Sequence, residues 1–453
     1  MAGKHSNKTN KGIRFRLGVL ILIFAVLSFV IVAGRLLYLQ VINTNFYQSK
    51  AAENQTKDLI ITPMRGSIYD RNMTELAVSA TTQEISVSPT NIRTKGLASV
   101  EIKRDEKGKA IPATDEEKEA ACLKYQQRIA KLLAKYLDYD ETLKKIQRDQ
   151  SYVRIARHVD ADIADELVQK LSDEKLSGVN TTEDSKRYYK YGNFASQVIG
   201  FTNDDGQGLY GLELQYNDVL KGVAGRVVKA TNALGSDMPY DYEKYVSAKD
   251  GNGVVTTLDE GVQHYLEKHL EEVLAQTSAK KGVCGIVMDI KTGEILAMST
   301  KPDFDLNNPR VIPEEYTSLL NELNNLSGDD YDKKYSEILL NLWRNKALND
   351  TYEPGSTFKV FTVSTALEEG LVNDDSTFTC GGSKRVKDKI IRCWKDGGHG
   401  TQVLKDTLAN SCNVAMMDIG ALIGTDMFRK YFEAYGFMDK AGIDLPGEAT
   451  GIF

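Results

Sequence analysis

The sequence carries no large excess of charge of either sign. Its 57 lysines and arginines nearly match its 63 aspartates and glutamates, so the net charge is only −6 over 453 residues. A field this weak does not attract a polyanion, and we therefore expect no nucleic-acid partner. The length is too great for one ordinary core and predicts two or more folded units.

Cysteine is scarce, odd in number and scattered. None of Cys122, Cys284, Cys380, Cys393 and Cys412 belongs to a C-x-x-C pair of the kind that holds a metal ion, so we expect no metal site. Cys380 and Cys393 flank a glycine-rich, basic loop and could form a disulfide. We expect most of the others to be small buried hydrophobic residues and none of the five to be a nucleophile.

The first 16 residues contain no Asp or Glu, and a long apolar run follows them. Leu17 to Gly34 is uncharged and mostly aliphatic, and about 18 to 20 such residues can cross a bilayer. By the positive-inside rule, the lysines and arginines before this run keep the N-terminal tail on the cytoplasmic side of the membrane. We predict a cytoplasmic tail over residues 1–16, a single-pass membrane anchor over 17–39 and an extracytoplasmic remainder. A cleaved signal peptide is the alternative, although the run is long and no Ala-x-Ala site follows it.

Beyond the anchor, the sequence divides near residue 250. From 44 to 250, short β-type stretches mix with amphipathic helical ones, and nothing repeats at a fixed period. The clearest helix is predicted over Asp115–Leu137, where apolar residues lie three and four apart. The turn-forming sequence Lys249–Gly253 marks the main boundary. We predict folded domains over residues 44–250 and 251–453.

Local patterns predict the first elements of the second domain. In chain order they are a strand over Val254–Leu258, a helix from Asp259 to about Thr277, a hairpin of Val283–Asp289 and Glu294–Ser299 joined by Ile290–Gly293, and a polar helical region from about Pro313 to Asn345.

The candidate chemistry begins at Ser356. A helix-breaking Pro-Gly precedes this serine and a helix is predicted over Val360–Glu369, which places Ser356 at the first helical turn. A serine and a lysine three residues apart share one helix face, so the amine of Lys359 can reach the hydroxyl. The helix dipole and burial behind Phe358 and Val360 disfavour the charged lysine. A neutral Lys359 could then take the proton of Ser356.

The S-x-x-K pattern alone is weak, because Ser172–Lys175 and Ser278–Lys281 also match it in charged, solvated helical sequence. Support comes from the only Ser-x-Asn of the sequence, Ser411-Cys412-Asn413. A hydroxyl there can relay a proton, and an asparagine amide can both accept from and donate to a peptide substrate. Taken singly, Ser356 also fits an N-capping serine, and Ser411–Asn413 a polar loop before a helix over Val414–Ile423.

With S-x-x-K followed by S-x-N, the chain resembles the class B penicillin-binding proteins. The resemblance covers nearly the whole chain. Its further family-like stretches are Arg65–Asn72, Gly211–Glu213 with Tyr216–Asn217, Thr257–Asp259 with Gln263, Pro302–Asp305 with Asn307 and Pro309, and Trp343–Ala347 leading to Tyr352–Lys359.

The resemblance implies a multidomain α/β (α+β) fold. An N-terminal transmembrane helix precedes an extended mixed α+β pedestal, or dimerisation, domain over residues 44–250. A serine β-lactamase-like transpeptidase domain follows over residues 251–453. The resemblance also implies a location in the cell membrane, a membrane glycosyltransferase as partner, and no cofactor.

By the same resemblance, the chain is a peptidoglycan D,D-transpeptidase. Ser356 would attack a stem peptide that ends in D-Ala-D-Ala, expel the terminal D-Ala and pass the acyl group to an amine of a neighbouring strand. Lys359 would act as the base, Ser411 as a proton relay and Asn413 as the holder of the substrate amide. The backbone N–H of Ser356 would supply half of an oxyanion hole. β-Lactams mimic the D-Ala-D-Ala end and would trap Ser356.

The sequence departs from the family in two places. The third family motif, Lys-Thr/Ser-Gly, is expected well over a hundred residues after Asn413, whereas the chain stops at Phe453. The one Lys-Thr-Gly, Lys291–Gly293, precedes Ser356 and belongs to the predicted hairpin. We therefore expect the 453 residues to lack the C-terminal strands of the domain and to react weakly or not at all with penicillin. Lys190 stands where the family usually has proline, which concerns turn geometry in the pedestal.

Two other functions fit part of the pattern. A serine β-lactamase or its sensor relative would share Ser356, Lys359 and Ser411, but neither normally carries a region like residues 44–250. A non-catalytic scaffold would use the anchor and pedestal to bind a polymerase. The motifs do not distinguish elongation, division and sporulation.

Overall fold

The computed structural model describes residues 10–38, 56–104, 108, 111–230, 244–277 and 279–453. Its α-helices are α1 Asn10–Leu37, α2 Pro89–Ala98, α3 Asp115–Leu133, α4 Tyr139–Ile146, α5 Ala161–Asp173, α6 Ser196–Ile199, α7 Gly211–Gln215, α8 Asn217–Leu220, α9 Glu260–Thr277, α10 Thr317–Asn321, α11 Asp329–Trp343, α12 Lys346–Asn349, α13 Lys359–Glu368, α14 Leu404–Ala409, α15 Asn413–Ile423 and α16 Thr425–Ala434. A 3₁₀ helix spans Gly355–Phe358.

The described strands follow the same chain order. They are β1 Thr56–Ile61, β2 Ile68–Tyr69, β3 Glu75–Val87, β4 Val153–Val159, β5 Val179–Tyr189, β6 Gly225–Ala230, β7 Lys244–Val246, β8 Val254–Val255, β9 Val283–Met288, β10 Ile295–Lys301, β11 Thr377–Cys380, β12 Ser383–Val386, β13 Lys389–Arg392 and β14 Gly400–Val403.

The chain forms two compact units, which we call the anchor unit (residues 1–63 and 223–250) and the main unit (residues 64–222 and 251–453). In the anchor unit, β6 lies between β1 and β7 in an antiparallel three-stranded sheet. Within α1, Phe15–Arg35 is long and apolar enough to cross a membrane by length and composition. The predicted anchor over 17–39 falls on α1 up to Leu37, and residues 1–9 and 39 lie outside the described residues.

The sheet of the main unit is built around the long strand β3. Strand β5 pairs antiparallel with β3 along one edge, from Ala77 opposite Tyr189 to Val87 opposite Val179. On the other edge, β2 pairs near the start of β3 and β4 pairs near its end. Strand β2 also pairs parallel with β8. Sequence from both sides of residue 250 therefore shares one sheet, and the boundaries of the domains 44–250 and 251–453 stay predictions.

Helices α2 to α5 pack one hydrophobic core against β3 and β4. Helix α3 begins with a capping box, in which the Thr114 hydroxyl accepts from the N–H of Glu117 and the Glu117 carboxylate accepts from the N–H of Thr114. Ile129 and Leu133, one turn apart, are fully buried on its inner face. The predicted helix over Asp115–Leu137 is confirmed, except that it ends four residues earlier.

A second core lies between the sheet and residues 258–445, and a third lies beneath the candidate site. The second core includes Ile68 of β2, Leu342 of α11, and Phe304, which follows β10. The third joins α13, α15 and β11 through side chains such as Ala366 and Ile419, both fully buried. The site therefore rests on its own hydrophobic support.

Two glycines let chain segments approach closely beside Arg65. A Cβ on Gly66 would lie 2.0 Å from the carbonyl oxygen of Asn252, and one on Gly251 would lie 1.7 Å from the carbonyl oxygen of Leu220. Only glycine fits these contacts without moving backbone. The glycines of the family-like stretch at 65–72 and of the predicted linker thus have a packing role.

The family-like residues of the first half meet in a buried ion cluster. Glu213 is fully buried and accepts from Arg65 Nε at 2.6 Å and from Arg187 Nε at 2.7 Å. Arg65 also donates to Asn217 Oδ1 at 2.9 Å. By contrast, Lys190 lies at the surface, where its Nζ donates to Glu75 at 2.5 Å. The departure from proline at this position places an exposed ion pair beside the turn.

Replacing Glu213 by alanine should leave two buried guanidinium groups without their carboxylate. We expect the change to lower the free energy of unfolding by about 3–5 kcal/mol. Thermal unfolding of the detergent-solubilised protein measures it, with Glu183→Ala on the exposed face of β5 as the matched control. Equal unfolding temperatures for the two variants would contradict a structural role for the cluster.

Several predicted elements of the second half form with altered bounds. The hairpin forms as β9 and β10, and Lys291–Gly293 lies in its turn. The predicted strand Val254–Leu258 shortens to β8. The polar region Pro313–Asn345 is not one helix, because Asn325 and Gly328 adopt left-handed backbone conformations between α10 and α11. Helix α11 starts afresh after Gly328, where three aspartates in its first turn suit the helix dipole.

Candidate active site

Ser356 lies on the 3₁₀ turn that leads into α13. Gly355 precedes it with φ at +61°, a conformation that favours glycine. The N–H of Lys359 donates back to the Ser356 carbonyl, so the turn continues directly into the helix. The Ser356 side chain is exposed, and within the described part of the chain its hydroxyl forms no hydrogen bond to another group. The hydroxyl is therefore open to an incoming reactant.

Lys359 brings three of the four predicted site residues together. Its Nζ donates to Ser411 Oγ at 2.9 Å, to the Ser411 carbonyl at 2.7 Å and to Asn413 Oδ1 at 2.7 Å. These partners follow Lys359 by more than 50 residues. One amine thus links the two predicted motifs across the third core.

The loop that carries Ser411 and Asn413 is held tightly. Ser411 has a left-handed φ of +48°, and its N–H donates to the Leu408 carbonyl at 2.9 Å. Cys412 is fully buried between its two polar neighbours, and Asn413 opens α15. The alternation of outward Ser411 and Asn413 with inward Cys412 presents both polar groups to Lys359.

The environment of Lys359 differs from the predicted one. Val360 is 61% exposed, so it provides little of the burial expected from it. Burial instead comes from the opposing turn at Ser411–Asn413. It lowers the pKa of Lys359, while the nearby thiols of Cys393 and Cys412 partly offset this effect. The shift is toward the neutral amine that a base requires, whereas the three hydrogen bonds that Nζ donates here use all three N–H groups of the ammonium form.

The two S-x-x-K decoys do not form such a site. Ser172 lies exposed in the last turn of α5, and Lys175 follows the helix with φ at +54°. For the second decoy, Ser278 lies outside the described residues. Among the three matches, the structure therefore joins Lys359 alone to a Ser-x-Asn turn.

Three cysteines and a histidine that no sequence motif predicted as a group lie together in a cluster next to this site. Cys380, Cys393, His399 and Cys412 each place a ligand atom within 4.8 Å of the others. All three cysteines are buried and free, so the possible disulfide between Cys380 and Cys393 does not form. Their pattern, C-x₁₂-C-x₅-H-x₁₂-C, matches no short motif, and the equal spacing of its two outer gaps was the only hint in the sequence.

Two thiols of the cluster, those of Cys393 and Cys412, differ in pKa. Burial alone would raise the pKa of Cys393, but backbone N–H groups of Lys395 and Asn413 and the adjacent thiols lower it to about 6. Burial raises the pKa of Cys412 to about 11. Of these two thiols, Cys393 therefore ionises more readily than Cys412.

Two family models match the chain. The model "Penicillin-binding Protein dimerisation domain" matches residues 60–256, and "Penicillin binding protein transpeptidase domain" matches residues 283–453. Stage V sporulation protein D of Bacillus subtilis (strain 168) is 33% identical over 445 residues, which are 98% of this chain and 60% of that protein. Peptidoglycan D,D-transpeptidase FtsI of Escherichia coli (strain K12) is 26% identical over 433 residues, 94% of this chain and 63% of that protein. The chain spans about three-fifths of the length of these relatives.

Solved structures share the fold. The complex between penicillin-binding protein PBP2 and MreC from Helicobacter pylori matches with a TM-score of 0.62 at 23% identity, over 88% of this chain and 68% of that chain. Penicillin-binding protein 2X from Streptococcus thermophilus matches with a TM-score of 0.59 at 23% identity, over 88% of this chain and 55% of that chain. These similarities confirm the predicted multidomain α+β fold class.

Proposed function

We propose, because this chain belongs to the class B penicillin-binding proteins, that it acts as a serine D,D-transpeptidase on the stem peptides of peptidoglycan. The single observation that carries the proposal is the contact of Lys359 Nζ with both polar residues of the Ser411–Asn413 turn, one helical turn after the open hydroxyl of Ser356. This contact supports a reactive serine at that position.

The acylation step uses Ser356 as the nucleophile. Its oxygen attacks the carbonyl carbon of the penultimate D-Ala, an ester bond forms, and the bond to the terminal D-Ala breaks. Lys359 accepts the hydroxyl proton, and Ser411 relays a proton to the leaving amine. The N–H of Ser356 stabilises the developing oxyanion.

The second step returns the enzyme to its starting state. An amine of a neighbouring stem peptide attacks the ester, an amide cross-link forms, and Ser356 regains its proton. Asn413 holds the substrate amide, since its side chain both donates and accepts. A β-lactam would form the same ester with Ser356 and remain there.

The position of this chemistry follows from α1. We place α1 across the cell membrane once, with residues 1–16 in the cytoplasm and the catalytic residues outside, because basic residues precede the apolar run. A membrane glycosyltransferase is the proposed partner, since a transpeptidase needs glycan strands to join.

The reaction of the full gene product with penicillin and with a D-Ala-D-Ala peptide tests the proposal. We expect a penicillin adduct that lasts much longer than one cycle of the peptide reaction. We also expect D-Ala release that depends on an added amine. Rapid loss of the adduct with release of hydrolysed penicillin would identify a β-lactamase. If a folded protein forms no adduct and releases no D-Ala, the result would identify a non-catalytic scaffold.

A further inference from the structure

The cluster beside the candidate site has the dimensions of a tetrahedral metal centre. Cys393 Sγ lies 3.5 Å from His399 Nδ1 and 4.0 Å from Cys412 Sγ. Zinc bound tetrahedrally by sulfur and nitrogen separates neighbouring ligand atoms by about 3.5–3.8 Å. The two sulfur atoms are about twice as far apart as in a disulfide. The side chains thus stand near the positions that an ion requires.

The surroundings of the cluster favour an ion over a set of neutral thiols. Cys380, Cys393 and Cys412 are all at least nine-tenths buried. The Nδ1 atom of His399 faces the Cys393 sulfur and is the ring nitrogen placed to bind an ion. Thiols are weak hydrogen-bond partners, so an imidazole buried against them gains little without a metal.

The fold brings the four ligands together from four separate segment ends. Cys380 ends β11, Cys393 follows β13, His399 precedes β14 and Cys412 precedes α15. The N–H of Cys393 donates to the Gly382 carbonyl at 2.8 Å. A Cβ on Gly398 would lie 2.1 Å from the Cys380 carbonyl oxygen, so glycine is needed for the His399 loop to close over the cluster. Backbone contacts therefore hold the ligands before any ion binds.

We propose that Cys380, Cys393, His399 and Cys412 bind one Zn²⁺ ion and that this ion fixes the Ser411–Asn413 turn against Lys359. Three sulfurs and one nitrogen form a common ligand set of structural zinc. Calcium and magnesium require oxygen ligands, and common iron–sulfur clusters take four cysteines. Four protein ligands close the coordination sphere, so the ion has a structural role.

The link to the candidate site is Cys412. It lies between Ser411 and Asn413, and both of these residues accept hydrogen bonds from Lys359. A metal bond to Cys412 would hold the turn from its buried side. Cys412 is then a positioning residue. Zinc binding goes beyond the proposed transpeptidase function and does not depend on it, whereas an effect on acylation rests on that function.

Metal analysis of the purified chain, prepared without chelator or metal-affinity resin, tests the first half of the proposal. We expect close to one zinc ion per chain. The variants Cys393→Ser and His399→Ala should lose most of it, while Cys122→Ser, a buried cysteine outside the cluster, should keep it. Zinc-free wild type, a disulfide within the cluster, or full zinc in both cluster variants would overturn the proposal.

Cobalt provides a measurement that does not depend on how well the variants fold. Wild-type protein stripped with a chelator and titrated with Co²⁺ should develop the absorption bands of tetrahedral cobalt bound by thiolates, and added Zn²⁺ should bleach them. Two results would overturn the assignment of the ligands. One is cobalt bands of octahedral type only, and the other is no bands at all in a stripped protein whose circular dichroism shows that it is still folded.

Hydrogen exchange tests the second half without reference to catalysis. Zinc removal should speed amide exchange over residues 407–417, and exchange over α3 should not change. In the full gene product, the same treatment should slow penicillin acylation about 10- to 100-fold, the size of effect that disrupted metal-site support produces. If zinc removal speeds exchange but the full gene product is not acylated with or without zinc, the result would count against the proposed transpeptidase function and not against the zinc site. Unchanged exchange would overturn the positioning role of the ion.

Discussion

Replacing Ser356 with alanine should abolish the covalent reaction with penicillin. The hydroxyl of Ser356 is the only group at the start of α13 that we assign to the ester bond, and alanine offers no oxygen to replace it. In the full gene product, we expect no adduct on the variant by intact-protein mass spectrometry after an incubation that converts the wild type completely. The side chain is exposed and forms no hydrogen bond in the described structure, so its removal should leave the unfolding temperature unchanged.

The matched control is Ser172→Ala, which alters the same S-x-x-K pattern in α5. Ser172 lies at an exposed helix end, away from any Ser-x-Asn turn, so its variant should react at the wild-type rate. Retention of the adduct in Ser356→Ala would exclude this serine as the nucleophile. A loss in Ser172→Ala as well would show that the assay reports on folding.

Replacing Lys359 should slow acylation while leaving the nucleophile in place. A positioned general base contributes about 10²–10⁴-fold, and we expect Lys359→Ala to lose that much in the second-order rate constant of acylation. Lys359→Arg should be nearly as slow, because a guanidinium keeps its proton and cannot act as a base. Stopped-flow measurement with a chromogenic cephalosporin gives the rates.

Lys175→Ala, the partner residue of the Ser172 decoy, is the control for Lys359 and should react normally. A fast Lys359→Arg variant would show that the site needs a fixed positive charge and not a base. In that case the hydrogen bonds of Lys359 to Ser411 and Asn413 would serve to orient the turn only.

Local patterns were sufficient for the parts of the fold that depend on neighbouring residues. The apolar spacing over Asp115–Leu137, the two β-type runs of the hairpin and the Pro-Gly before Ser356 each act within a few residues, and each element formed close to its predicted bounds. The pairing of S-x-x-K with Ser-x-Asn was also predicted, and Lys359 contacts Ser411 and Asn413. That contact leaves the catalytic roles of these residues as proposals.

The predictions that failed concern features that depend on tertiary structure. Val360 was predicted to help bury Lys359 because it is apolar and adjacent, but its side chain is 61% exposed. The polar region at 313–345 had helical composition, yet left-handed residues at Asn325 and Gly328 divide it. The cysteine cluster needed two strand pairs to close before its residues met, so no short spacing could reveal it.

Locating the covalent penicillin adduct tests most directly the claim that Ser356 is the nucleophile of this site. Trypsin cleaves after Lys346 and Lys359, and the peptide between them, residues 347–359, contains Ser356 as its only serine. We predict that the full gene product carries one penicilloyl group, on this peptide, and that fragmentation assigns it to Ser356. An adduct on any other peptide, or an unmodified 347–359 peptide from folded protein treated with excess penicillin, would contradict the claim.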